Sequence, residues 1–117
     1  MDNRAKKLLF DVFVSGRSIS EWCEGRSFSE YEEDRQFRRA VEREFEIIGE
    51  ALNRLTQIDP TTAARIADLN RIVGFRNRII HGYDAVDDAT VWGVVEGHLP
   101  RLLVEVEALL RDAGESV

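Results

Sequence analysis

Residues 29–55, SEYEEDRQFRRAVEREFEIIGEALNRL, decide the fold class. Phe37, Val41, Phe45, Ile48, Leu52 and Leu55 recur every three or four positions. That spacing lines one side of a helix with apolar groups and leaves the charges on the other. Ser29 and Glu32 make an S-x-x-E pair, which predicts a capping box at the helix start. Asp34/Arg38, Arg38/Glu42 and Glu50/Arg54 are spaced i, i+4. Each such pair is worth only about 0.2–0.5 kcal/mol, so the stripe and not the charges must hold this helix in place.

The same period extends outward. Ala5, Leu8, Leu9, Val12 and Phe13 predict a first helix over about residues 3–22, with Gly16 as a point of bending or interruption and a loop over residues 23–29. Asp59-Pro60 supplies an N-cap acceptor and a proline at the first helical position, so a short third helix should run to about Asn70. A fourth follows over about residues 71–81, with Gly82 as its stop. Asp87 or Asp88 can cap a fifth, whose stripe is Val91, Val95, Leu99, Leu102, Val106 and Leu109, ending near Asp112. Pro100 lies inside that stripe and predicts a kink. Trp92, Val94, Leu103 and Leu110 widen its apolar face, which suits a bundle core and a dimer interface equally well. No run alternates with period two. The expectation is an all-α, antiparallel bundle of four to five helices, one domain over residues 1–117.

Composition agrees. The 117 residues are 44% hydrophobic and 32% charged, enough for a core and a solvated surface. No apolar run approaches the ~20 residues a bilayer requires, so no membrane association is expected. The N-terminal stretch reads as a helix and not a signal peptide, because no small-residue cleavage site follows it. Cys23 is the only cysteine, which suits a reducing, cytoplasmic setting. The two histidines, His81 and His98, show no metal-ligand spacing, and neither metal nor cofactor is expected. Trp22 and Trp92 read as core or interface residues, Cys23 as a loop thiol, His98 as a surface group, and Glu46 and Glu50 as an exposed helix face, with salt bridges into the cleft as the alternative.

The net charge of −6 argues against a non-specific nucleic-acid coat. Its distribution is uneven. Residues 69–83 contain no Asp or Glu, where the chain average would place about three, and they hold Arg71, Arg76, Arg78 and His81. Charge alone fits a solvated arginine face. In helical projection at about 100° per residue, Ile80 lies near 40° from Arg76, Tyr83 near −20°, Asn77 near 100° and His81 near 140°. Arg76 and His81 therefore do not share a face, although the long arginine side chain can cover much of the gap. Their chemistry is complementary, however. Arginine presents a fixed fork of donors to phosphate oxygens, and histidine exchanges protons near neutral pH. The pair could cut a phosphodiester without metal, with His81 moving the proton of a ribose hydroxyl or leaving oxygen and Arg76 stabilising the phosphate charge. Asn77 could orient His81 or bond the phosphate.

Arg76-Asn77-Arg78-Ile79-Ile80-His81-Gly82-Tyr83 resembles the R-x4-H-x-Y motif of HepT-like toxins in the HEPN superfamily. Residues 40–51, AVEREFEIIGEA, are similar to that family's second-helix signature, and residues 91–96, VWGVVE, followed by Leu99-Pro100 are similar to its last helix. The resemblance covers roughly residues 3–112. It implies a dimerising helical bundle that joins two R-x4-H motifs in one cleft as a metal-independent RNA endonuclease. It also implies a partner, a minimal (MNT-type) nucleotidyltransferase antitoxin that transfers AMP to the motif tyrosine. Arg76 and His81 would be catalytic, Asn77 and Arg78 supporting or phosphate-binding, and Tyr83 the AMPylation acceptor. Gly82 departs from the acidic residue that family members often carry there. A different class of reading is a non-catalytic helical subunit that binds a nucleotide or a partner within a nucleotidyltransferase complex.

Overall fold

The computed structural model describes residues 1–81 and 87–117. Among the described residues it contains seven helices and no strand. The five expected helices are all present, two of them divided.

Helix α1, Asn3–Cys23, starts where the Asp2 carboxylate accepts the Arg4 amide at 2.6 Å. It runs through Gly16 without interruption. Gly16 is there for clearance: a Cβ would lie 2.7 Å from Leu103 Cδ2, so the missing methyl lets another helix approach. Helix α2, Phe28–Glu33, is capped by Ser27, not Ser29. Ser27 Oγ accepts the Glu30 amide and Glu30 Oε1 accepts the Ser27 amide, both at 3.1 Å. The sequence offers two S-x-x-E pairs two residues apart. The earlier one is used, and Tyr31 is buried, its ring 5.2 Å from those of Phe37 and Trp92.

Helix α3, Arg35–Ile58, begins anew because Asp34 leaves the helical conformation and caps it, accepting the Phe37 amide at 3.0 Å. Asp34 is thus a cap and not the partner of Arg38. Arg38 reaches the Glu32 carbonyl and Asp88 instead. The α3 stripe is buried as its spacing requires, from Phe37 to Leu55. This helix packs against α1 on one flank and, on another, against α5, Leu69–His81.

Helix α4, Pro60–Ala63, stops well short of Asn70. Tertiary contacts take over there: Ile66 is buried, the Ala67 amide donates to the Glu105 carboxylate at 3.3 Å, and Asp68 pairs with His98. Helix α6, Asp88–Gly97, is capped by Asp87, and α7, Leu99–Asp112, follows after a break at His98. Pro100 is the second residue of α7, where its missing N–H costs no helical bond. All seven helices contribute to one hydrophobic cluster. Among the described residues no helix is long and apolar enough to cross a membrane.

Candidate functional site

Arg76 sits on α5 where that helix crosses Gly49 of α3. A Cβ on Gly49 would come closer than 3 Å to both Cβ and Cγ of Arg76. A glycine inside a helix costs about 0.5–1 kcal/mol relative to alanine, and here it creates the space for the arginine stem. The Arg76 side chain is only 16% exposed. Its Nη2 donates to Glu50 Oε2, and its Nη1 to Asn77 Oδ1 at 2.7 Å. Glu50 also accepts from Arg54 Nε at 2.8 Å, so one carboxylate ties two guanidinium groups. Arg76 Nε is buried with no hydrogen-bond partner among the described residues.

The guanidinium borders an open cavity of about 340 Å³ between α1, α3 and α5. Three acids, Asp11, Glu46 and Glu50, face three bases, Arg43, Arg54 and Arg76. Ile80 completes one edge and is 41% exposed.

The other expected site residues are placed as follows. Asn77 is exposed and commits its oxygen to Arg76, leaving His81 without that contact. Arg78 is exposed on the opposite side of α5, where its charge helps hold the Asp87 carboxyl below its usual range, after the cap bonds from Thr90. His81 is the last residue of α5, is exposed and does not line the Arg76 cavity. Among the described residues, a single chain thus leaves His81 outside the cavity that Arg76 lines. Gly82 and Tyr83 lie outside the described residues.

Several expectations need correction. Glu50 is not merely part of a solvated face; it is the anchor of Arg76. An interior glycine beside a glutamate, Gly49-Glu50, was the available signal, but only the approach of α5 gives it meaning. His98 is not a free surface group, since its Nδ1 lies 3.0 Å from Asp68 Oδ2 at the α6–α7 joint. That hydrogen bond, reinforced by the charges of His98, Arg101 and Arg71, holds the Asp68 carboxyl below its usual range. Trp22 is 42% exposed, so of its two readings the core one does not hold, and Trp92 is buried as expected. Cys23 is not a loop thiol but the last residue of α1, where burial pushes its thiol up to about 11. Among the described residues no three His, Cys, Asp or Glu side chains gather as metal ligands.

Comparison with known proteins bears on what this site does. No solved structure matches the chain. It is 31% identical to “Putative RNase MJ1380” of Methanocaldococcus jannaschii, over 87% of this chain and 93% of that protein. “Putative RNase MJ0125” of the same organism is 26% identical over 94% of each chain. The profile of the HepT-like ribonuclease family matches residues 15–109, which include both Gly49-Glu50 and the Arg76–His81 segment. The chain belongs to the HepT-like ribonuclease family.

Proposed function

We propose that the protein is a metal-independent RNA endonuclease, acting as the toxin of a toxin–antitoxin pair, with a site completed by a second copy of the chain. The observation that carries this reading is the placement of Arg76: half-buried at the α3–α5 contact, held by Glu50 and Asn77, while His81 stands exposed at the end of the same helix. A fixed guanidinium stabilises charge that develops on a phosphate without reorganising at the moment of reaction. An exposed imidazole is free to reach substrate.

In the proposed reaction, a neutral His81 accepts the proton of a ribose 2′-hydroxyl. The 2′-oxygen attacks the adjacent phosphorus, the bond to the 5′-oxygen breaks, and that oxygen leaves with the proton that the same His81 gives back. The products are a cyclic 2′,3′-phosphate and a 5′-hydroxyl, with no net proton consumed. Arg76 stabilises the extra charge on the equatorial oxygens. Arg78 and Asn77 assist in holding the phosphate.

Control would act on Tyr83. Transfer of an adenylyl group from ATP to its phenolic oxygen, with release of pyrophosphate, would add negative charge two residues from His81 and oppose RNA. A minimal nucleotidyltransferase antitoxin is the partner of the right chemistry, and the cytoplasm is the setting where ATP and RNA meet.

The test is cleavage of RNA in EDTA by the wild type and by Arg76→Ala and His81→Ala. Each variant should lose at least about 100-fold in rate while keeping its helical circular dichroism. Equal cleavage by all three, or none by the wild type, would sink the reading. The separation of Arg76 from His81 within one chain favours a second reading, a non-catalytic nucleotide- or partner-binding subunit. It predicts binding that survives His81→Ala and no RNA cut by any form.

A further inference from the structure

Helix α1 carries its charges in the order that a lone helix disfavours. Arg4, Lys6 and Lys7 crowd its N-terminal end, while Glu21, with Glu24 at the C-cap, closes the other. The amides at a helix start repel cations and the carbonyls at its end repel anions, so this order works against the macrodipole. Asp2 and Glu115 offset Arg4 and Lys6. The outer face keeps its order. Its two side-chain pairs, Lys7–Asp11 at 2.7 Å and Arg17–Glu21 at 3.4 Å, both run base before acid, the weaker of the two i, i+4 orientations. Halfway between them stands Val14, 61% exposed.

Val14 is also a centre of symmetry for charge. Residues at equal distance on either side of it are opposite in sign: Arg4 and Glu24, Lys7 and Glu21, Asp11 and Arg17. At about 100° per residue, Lys7 and Glu21 lie within about 20° of Val14, each about 10 Å from it along the axis. Phe10 and Arg17 lie about 40° and 60° to one side, where Arg17 borders a groove shared with α7. Asp11 lies about 60° to the other side, where it borders the Arg76 cavity. A second α1 laid antiparallel on this face, with a two-fold axis at Val14, sets Lys7 against Glu21 twice, Arg17 against Phe10 twice and Val14 against itself. Each basic end then meets an acidic one. Val104 of α7, 67% exposed beside Arg17 and Glu21, extends the apolar ground.

We propose that the outer face of α1 is the docking surface for a second copy of the chain, joined antiparallel through Val14, Lys7 and Glu21. The inference rests on the reading that two copies complete the site, and it names the surface they use. Both i, i+4 pairs are exposed to solvent, so each base can keep its acid while meeting another across the contact. A two-fold axis in the contact plane and perpendicular to α1 keeps the two Arg76 cavities on one side of the pair, open toward the same strand of RNA.

Charge reversal tests the pairing, because Lys7, Val14 and Glu21 are all exposed and their substitution spares the core. Sedimentation equilibrium would compare the wild type with Val14→Glu, Lys7→Glu, Glu21→Lys and the double reversal Lys7→Glu/Glu21→Lys. The wild type should be a dimer. Val14→Glu should raise the dimer Kd at least about 100-fold, since two carboxylates would meet at the axis. Each single reversal should raise it about tenfold, and the double should return to within about threefold of the wild type. A purely intrahelical role predicts the opposite, because the double breaks both i, i+4 pairs and would be the worst of the three. In a Cys23→Ala background, Val14→Cys should cross-link on oxidation with diamide, since helix axes about 8–10 Å apart leave the two Cα atoms about 4–5 Å apart. Ser20→Cys, turned about 120° away, should not.

A monomeric wild type would overturn the interface and leave the face to a different protein. So would a dimer that keeps its Kd in Val14→Glu, a Val14→Cys chain that cross-links no better than Ser20→Cys, or a double reversal weaker than either single one. RNA cleavage is read on the same variants. A chain that dimerises in this pattern and never cuts keeps the interface and removes the ribonuclease reading. Cleavage by a dimer indifferent to every α1 variant does the reverse. Where both hold, Val14→Glu cuts slowly at low protein concentration and recovers as the concentration rises.

Discussion

At the scale of single residues, the contact between Gly49 and Arg76 sets where the guanidinium can go. Alanine in place of glycine inside an exposed helix usually stabilises by about 1 kcal/mol. At Gly49 the added methyl would meet the first carbons of the Arg76 side chain, which cannot swing away as a flexible tip would. Gly49→Ala is therefore expected to destabilise by about 1–3 kcal/mol, the usual cost of overpacking. Gly74→Ala, facing open space, should stabilise by about 0.5–1 kcal/mol. Urea midpoints of the two variants check the opposite signs. Gly49→Ala should also reduce RNA cleavage more than its residual stability explains, because it displaces Arg76 from Glu50. Stabilisation by Gly49→Ala would mean that α3 and α5 do not meet this way.

Among the elements, the α6–α7 joint is the least regular and depends on a cross-connection. His98 interrupts the helix two residues before Pro100, and its ring is tied to Asp68 in the turn ahead of α5. The same turn is tied to α7 through the Ala67 amide and Glu105. The Asp68 carboxyl is held below its usual range, first by the hydrogen bond from His98 and then by nearby positive charge. Its contribution to stability is complete above the unfolded carboxyl value of about 3.9 and disappears as pH falls through the lower folded value. Asp68→Asn should then melt below the wild type at pH 7, and the gap should close below about pH 4. Thermal melts across that range would show it; a gap independent of pH would assign the effect to packing instead.

For the whole molecule, the central proposal is that function belongs to two chains. Arg76 and His81 face different ways on α5, and Ile80 between them is exposed. Co-expressing Arg76→Ala with His81→Ala tests this directly. Each homodimer would be inactive, whereas a mixed dimer carries one intact arginine and one intact histidine. Cleavage should recover to at least about tenfold above either variant alone, provided the two residues act from different chains. A mixture as inactive as its components, with dimers present by light scattering, would place the whole site within one chain.

Much of this was determined locally. The 3.6-residue stripes on α1, α3 and α6–α7, the caps Asp59 and Asp87, and the acid-free segment around Arg76 all depend on neighbours within a turn or two. Helix existence was legible for that reason, and so was the angular separation of Arg76 from His81. The choice between two adjacent capping boxes was not, because it turned on burying Tyr31 against Phe37 and Trp92 from other helices. Nor were the early end of α4, the Asp68–His98 tie, or the anchoring of Arg76 by Glu50, 26 positions away. The sequence by itself determined where most of the helices lie and named the candidate site residues. Only the tertiary structure decided which carboxylate holds which base, because ion pairing and burial depend on distances between helices that helical period does not encode.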